Sequence, residues 1–184
     1  MLIAGIDYSL NGPAICVFEG KDHFVFEKCK FYYLTDTKKN IGLFSNNIFG
    51  EKFDDYDDEC ERYDTISDWV MKTINGCEQI ALEGYAYGAQ GRVFHIAENT
   101  GILKYKLYQA SIPLEVVQPS HVKKIATGKG NADKSKMYEA FLKETKVPLK
   151  DIISPNKKEI GNPVSDLVDA FYICKVLYKT IFPD

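Results

Sequence analysis

The 184-residue sequence lacks the features that mark several classes of protein. Its five cysteines are odd in number and never spaced as C-x-x-C, which argues against a disulfide framework or a structural zinc site. No apolar run approaches the roughly 18 residues that a membrane span needs. The amino-terminal apolar run is interrupted by Asp7 and does not read as a secretory signal. We therefore expect a soluble, intracellular protein without a membrane partner.

Phosphate-binding loops and a strong basic charge are also missing. The pattern G-x-x-x-x-G-K-[ST] does not occur, so no nucleotide cofactor is expected. The net charge of −3 does not by itself indicate a nucleic-acid binder, but the charge is unevenly distributed. Residues 51–64 carry eight acids against two bases, whereas residues 92–150 carry eleven bases against five acids. A basic half can follow a phosphate backbone, although solvated helix faces explain the same pattern.

Hydrophobic periodicity predicts an α/β fold. Three strands joined by tight turns predict an antiparallel meander, and later strands alternate with helices. Residues 35–58 show no clean periodicity and predict a long loop insertion. The result is one domain over residues 1–184, with a mixed five-stranded sheet and helices on both faces. The predicted strands are 2–6, 14–18, 23–34, 79–83 and 112–117. The predicted helices are 59–75, 92–110, a short one from 119, one that Asn131 caps and that ends near residue 146, and a final one to 179.

Four acidic residues stand where a ligand site is expected. Asp7 and Glu83 each end an apolar strand, and a buried carboxylate is costly unless something pairs with it. Asp166 and Asp169 are three residues apart in a predicted helix and so share one face. Together they could hold hard cations for phosphoryl transfer. The alternative for the helical pair is that one acid is exposed and the other caps the first turn.

Four segments in order resemble the RuvC-type Holliday junction resolvases of the RNase H-like superfamily, especially phage and virus members. The opening strand and turn, Gly5 to Gly12, is similar to that family's first motif. Ala81-Leu82-Glu83 is similar to the strand that carries the family's glutamate. Residues 122–134 resemble the family's basic helix-loop-helix signature. Asp166-Leu167-Val168-Asp169-Ala170 resembles its C-terminal D-x-x-D-A motif.

This resemblance implies a metal-dependent endonuclease that resolves four-way DNA junctions by paired nicks with 5′-phosphate and 3′-hydroxyl ends. Asp7, Glu83, Asp166 and Asp169 would be the catalytic residues and would bind two Mg²⁺ ions, with Mn²⁺ as a substitute. Lys123 and Lys134 match basic positions that the family uses against DNA, and Lys124, Lys129 and Arg92 join them on charge. The family's aromatic wedge position is Ala86 here, so Tyr85 or Tyr87 could stack at an opened junction or could merely cover the sheet edge.

The resemblance also implies a homodimer, because a four-way junction has two symmetric strands to cut. The helix after Gly91, with Phe94, Ile96 and Ala97, is the expected interface. The protein would act in the cytoplasm or on the nucleoid, or in the host cytoplasm if a phage encodes it. Two alternatives stay open: another RNase H-like nuclease acting on branched intermediates or RNA, and a junction-binding module without catalysis.

Overall fold

The computed structural model describes residues 1–84 and 93–183, except for the side chain of Val93. Within those residues one mixed sheet has seven strands in the order β4-β5-β3-β2-β1-β6-β7. The predictions for Tyr85, Tyr87 and Arg92 lie outside the described residues. The strands are β1 Leu2–Asp7, β2 Ala14–Glu19, β3 Cys29–Leu34, β4 Gly42–Ser45, β5 Ile48–Glu51, β6 Gln79–Glu83 and β7 Leu114–Val117.

The predicted meander is confirmed, since β1, β2 and β3 pair antiparallel in sequence order. On the other side of β1, β6 pairs parallel with it, and β7 pairs parallel with β6. The register places Ile6 opposite Leu82, so the next residues, Asp7 and Glu83, end neighbouring strands at the same edge of the sheet. This pairing is what brings two acids 76 positions apart in the sequence to one place.

The prediction of five strands is wrong, because the segment predicted as a loop contains β4 and β5. These two strands form an antiparallel hairpin around Asn46 and Asn47, and β5 pairs parallel with β3. Ile48 is fully buried by that pairing. The hairpin extends the sheet at the edge farthest from β7. The predicted third strand is also shorter than expected, since a short 3₁₀ turn at Phe26–Lys28 precedes it.

Six α-helices lie in the described residues, and none of them is long and apolar enough to cross a membrane. Asp133, not the predicted Asn131, caps the fourth helix by accepting a hydrogen bond from the N–H of Lys136. The short fifth helix follows Pro148 and was not predicted. The helices are α1 Glu59–Thr73, α2 Val93–Gln109, α3 Pro119–Thr127, α4 Lys134–Thr145, α5 Leu149–Ile153 and α6 Val164–Ile181.

The helices cover both faces of the sheet, as predicted. Side chains of α1 and α2, among them Trp69 and Leu103, pack with one face of β1 and β6. The other four helices pack on the opposite face, where Phe141 and Phe171 lie at the centre of an aromatic cluster. Two apolar layers therefore enclose the sheet, and burial of this area is the main source of stability.

The closest approach of helix to sheet is at Gly5, in the middle of β1. A Cβ atom at this position would overlap the backbone of Cys174 on α6. Only glycine allows α6 to lie against the strand at this distance, so the sequence places α6 directly over β1. That contact carries the first turns of α6, with Asp166 and Asp169, toward the end of β1.

Candidate active site

The four predicted acids, called here the site carboxylates, gather where β1 and β6 end and α6 begins. Asp166 is buried, with 6% of its surface exposed, and Asp7, Glu83 and Asp169 are half-buried. The alternative for the helical pair is wrong about an exposed acid, but Asp166 does lie in the first turn of α6, where the helix dipole favours an acid. Neither acid is exposed, and no side chain caps the amino terminus of α6, where Pro163 is the capping residue.

The charges of the site carboxylates act on one another. Burial raises the pKa of Asp7 well above its usual value, and the charges of Asp166, Asp169 and Glu83 raise it further. Burial, followed by the charges of Glu83 and Asp166, raises the pKa of Asp169 to about 7. Burial also raises the pKa of Asp166 to about 6 and that of Glu83 above its usual value. Groups of one charge held together out of water are typical of functional sites.

Two lysines partly offset this negative charge. Lys134, the first residue of α4, lowers the pKa values of Asp7, Asp166 and Asp169, and its Nζ donates to Ser165 Oγ at 3.2 Å. Lys123 on α3 lowers the pKa values of Glu83 and Asp169. The structure thus places the two lysines that match the family's basic positions beside the acids.

The other two predicted lysines do not contact the acids. Lys124 follows Lys123 on α3 but is turned by about 100° around the helix. It lines a separate open groove of about 760 Å³ with His121 on α3 and Lys179 on α6. Lys129 is exposed in the loop after α3, where its backbone N–H donates to Thr127 Oγ1 at 3.2 Å.

A small polar network holds Asp166 in place. Ser165 Oγ lies 3.0 Å from Asp166 Oδ1 and 3.2 Å from Asn162 Oδ1, and either oxygen can accept its proton. Lys157 Nζ donates to the carbonyl of Asn162 at 2.8 Å. The sequence analysis missed Asn162, Ser165 and Lys157. Their only signal was a polar stretch directly before an acid-bearing helix.

The loop between β1 and β2, residues 8–13, forms one wall of the site. Asp7, Asn11, Lys134, Asn162 and Asp166 line a cavity of about 330 Å³ together with Ser9 and Ile96. Gly12 faces α6, and a Cβ on it would lie 2.9 Å from Asp166 Oδ2. The loop therefore contacts both the strand that ends in Asp7 and the helix that carries Asp166.

The residues at this edge fit a hard divalent cation. All four candidate ligands are carboxylates, which suit Mg²⁺ or Mn²⁺ better than zinc. Asp166 Oδ2 is buried and has no hydrogen-bond partner among residues 1–84 and 93–183, and a buried acceptor of this kind needs a partner. In the described part of the chain, no group of three or more His, Cys, Asp or Glu side chains already has the spacing of a formed metal site. Binding an ion there therefore requires the side chains to turn toward one another.

No family profile and no curated protein matches the chain by sequence. Several solved structures match it by their fold. Thermus thermophilus RuvC superposes with a TM-score of 0.64 at 18% identity, over 98% of this chain and 96% of that one. The chain has the RuvC fold. The fowlpox virus resolvase in complex with Holliday junction DNA matches with a TM-score of 0.52 at 13% identity, over 99% of both chains.

This chain also matches the yeast mitochondrial Holliday junction resolvase, with a TM-score of 0.51 at 16% identity, over 96% of this chain and 77% of that one. At identities this low, the likeness establishes the fold alone. The predicted α/β class and the RNase H-like, RuvC-type architecture are confirmed by it.

Proposed function

We propose that this protein is a metal-dependent endodeoxyribonuclease that resolves four-way DNA junctions by paired nicks leaving 5′-phosphate and 3′-hydroxyl ends. One observation carries the proposal. In a RuvC fold, four carboxylates whose pKa values are raised by burial, and for Asp7 and Asp169 also by the neighbouring acids, meet at the end of β1, and two lysines stand beside them. Neighbours of the same fold are described as Holliday junction resolvases, one of them in complex with junction DNA.

The chemistry assigns distinct tasks to the acids and the lysines. Asp7, Glu83, Asp166 and Asp169 would hold two Mg²⁺ ions, which when bound neutralise the scissile phosphate and lower the pKa of the attacking water. Lys134 and Lys123 would bind non-bridging phosphate oxygens and so orient the strand over the acids. Ser165 and Asn162 would keep the carboxylate of Asp166 in place.

The DNA would reach the acids past α3. Lys123 lies on the side of α3 that faces Glu83, and the groove lined by Lys124 and Lys179 lies on its other side. Lys124, Lys129 and Lys134 are exposed. We infer that one junction arm lies along these lysines, with Tyr85, Tyr87 and Arg92 as further candidate contacts. The acidic residues 51–64 would face away from this arm.

A second copy would bind along α2. Phe94, Tyr105 and Tyr108 are 78%, 60% and 79% exposed, and their helical spacing puts them on one face together with Gly101. Ile96 does not share that face, because it lines the cavity beside Asp7. We infer a two-fold dimer through this face. A monomer by sedimentation at micromolar concentration, with and without junction DNA, would contradict it.

The function is tested with labelled substrates of equal sequence: a four-way junction, a Y-fork, a linear duplex and an RNA–DNA hybrid. With Mg²⁺, we expect symmetric nicks in the junction, slower cutting of the fork and none of the duplex. Asp7→Asn should bind the junction with unchanged affinity and not cut it. Ligation of the nicked product without prior kinase treatment would establish the 5′-phosphate and 3′-hydroxyl ends.

Other outcomes separate the alternatives. Cleavage of the hybrid alone would point to a ribonuclease of the same superfamily. Tight junction binding with no cleavage of any substrate in Mg²⁺ or Mn²⁺ would leave a binding module. A junction nuclease would act inside the cell, where recombining DNA lies, and this location stays part of the proposal.

A further inference from the structure

The β1–β2 loop, residues 8–13, is anchored to both helices on the far side of the sheet. From α2, Asn99 Oδ1 accepts a buried hydrogen bond from the hydroxyl of Tyr8 at 3.0 Å. From α1, Arg62 reaches the tip of the loop. Its Nη2 donates to the carbonyl of Leu10 at 2.6 Å and to Asn11 Oδ1 at 3.0 Å.

Arg62 is unusual for its position in the sequence. It is one of only two arginines in the chain and lies within the acidic residues 51–64. Within the described residues its guanidinium makes no ion pair with those acids. It stacks over the ring of Tyr56, 5.2 Å from the centroid, and its Nη2 donates to the loop. A planar guanidinium suits this combination of stacking and directed donation better than an ammonium group does.

The loop transmits this contact to the site carboxylates. Asn11, one of the two residues that Arg62 holds, lines the same cavity as Asp7, Lys134 and Asp166. The next residue, Gly12, packs against Asp166 Oδ2, and its N–H donates to Ser9 Oγ at 3.1 Å. Loss of the Arg62 contacts would free the loop tip on one side, while α6 would still hold it on the other.

We propose that Arg62 is a positioning residue, which fixes the β1–β2 loop beside Asp7 and Asp166 and so limits the positions from which these two carboxylates can turn to a metal ion. The inference deepens the proposed nuclease function and rests on it for its catalytic consequence. Its structural part, the fixing of residues 10–12, can be tested independently of any cleavage.

The experiment compares Arg62→Met, Arg62→Lys and a matched control, Lys106→Met. Lys106 Nζ donates to Asp64 Oδ1 and Asp68 Oδ1, both at 2.6 Å, and so ties α1 to α2 without contacting the loop. Arg62→Lys keeps the charge and one donor nitrogen and should restore part of the function. Three quantities are measured: amide exchange at residues 8–13, the Mg²⁺-induced rise in melting temperature, and single-turnover cleavage of a four-way junction.

For Arg62→Met we expect amide exchange at residues 10–12 to rise about tenfold, since loops held by few contacts open at low free energy. The cleavage rate should fall about 10- to 100-fold, because small misplacements of reacting groups have effects of this size. The Mg²⁺ concentration for half-maximal thermal shift should rise severalfold, while the Kd for the junction stays within about twofold. Lys106→Met should lower the melting temperature without these changes.

Wild-type exchange at residues 10–12 in Arg62→Met would overturn the proposal, and so would equal losses of cleavage and Mg²⁺ response in Lys106→Met. If the wild-type protein cleaves no substrate, the proposed function fails. The exchange and Mg²⁺ measurements then still decide whether Arg62 fixes the loop.

Discussion

Two groups of acidic residues lie close together in this protein and differ in almost every physical respect. The acidic segment, residues 51–64, is the denser group in the sequence, yet all its acids except the half-buried Glu51 are exposed, and many have a cation or a backbone N–H nearby. Asp55 pairs with Lys52 at 3.0 Å, Asp64 with Lys106 at 2.6 Å, and Asp58 caps α1. Such exposed pairs contribute little to stability, typically about 0–1 kcal/mol.

The site carboxylates are fewer and far apart in the sequence, but they are buried or half-buried, and their charges raise the pKa values of Asp7 and Asp169. Asp166 Oδ2 has no hydrogen-bond partner in the described part of the chain, and burial raises the pKa of Asp169 to about 7. The comparison teaches that acid density does not locate the site. Burial without a compensating partner marks the candidate site instead, because a cost of this kind is typical of functional positions.

The strongest test of this comparison removes one carboxylate from each group. Asp7→Asn should lower the rate of junction cleavage by at least about 10³-fold, since the ligand loss removes several kcal/mol of metal stabilisation. Asp64→Asn, in the acidic segment, should change the rate less than about twofold. Both rates are measured by single-turnover cleavage in Mg²⁺. Equal effects of the two substitutions would contradict the distinction between the groups.

A second test concerns the cations beside each group of acids. Lys134→Met should lower the cleavage rate about 10²-fold, because it removes a charged donor aimed at the site. Lys136 lies two residues further along α4 and pairs with Asp133 at the surface, at 3.4 Å, so Lys136→Met is the matched control. We expect a nearly unchanged rate for the control. The idea fails if Lys134→Met cleaves like wild type at saturating DNA.

The third test uses stability and pH. The pKa of Asp169 is about 7 in the folded protein, above its unfolded value of about 3.9, so the folded state binds more protons between these pH values. The metal-free protein should therefore lose stability as the pH rises from about 4 to about 7, by about 1–3 kcal/mol after allowance for partial exposure. Asp169→Asn should remove the part of this dependence that Asp169 contributes, leaving that of Asp7, Asp166 and Glu83, and should raise the melting temperature at pH 8.

Calorimetry at pH 5 and pH 8, with and without Mg²⁺, measures this effect. Mg²⁺ should stabilise the wild-type protein at pH 8 and do so much less for Asp169→Asn, because the ion binds the ionised carboxylates. Asp54→Asn, an exposed acid of the acidic segment, serves as control and should follow wild type. A variant Asp169→Asn that is less stable than wild type at pH 8 would contradict the assigned cost of ionisation.

The smallest expected effect concerns the lysines outside the site. Lys124→Ala should weaken junction binding only severalfold and reduce the slope of log K against log salt by about 0.9, as for one lost phosphate contact. Lys38→Ala, an exposed lysine near the β4 edge of the sheet, should leave the slope unchanged. Equal slopes for Lys124→Ala and wild type would remove the groove beside α3 from the proposed DNA path.

Much of the fold could be predicted from local patterns. The apolar runs that end in Asp7 and Glu83, and the helical stripe of α6, are short-range signals that tertiary packing reinforces. The β4–β5 hairpin was missed because its strands have four residues each and are stabilised by pairing with β3. The capping residue of α4 was misplaced by two positions, from Asn131 to Asp133, since both residues are good caps.

The residues of the candidate site likewise divide into those that local patterns predict and those that they do not. The four acids and the two lysines beside them could be named from the sequence because they fall in motifs. Arg62 and Asn99 could not, since each contacts the β1–β2 loop across the fold, and the local signal of Asn162, a polar stretch before α6, was too weak to single it out.

The sequence by itself determined which carboxylates end strands and which share a helix face, because strand and helix periodicity are local properties of the chain. Only the tertiary structure decided that they meet. Parallel pairing of β1 with β6 aligns Asp7 with Glu83, and the close contact at Gly5 brings α6 with Asp166 and Asp169 over them. Burial, mutual repulsion and the contact of Arg62 with the β1–β2 loop depend on residues distant in sequence, so they exist only once the sheet and helices have packed.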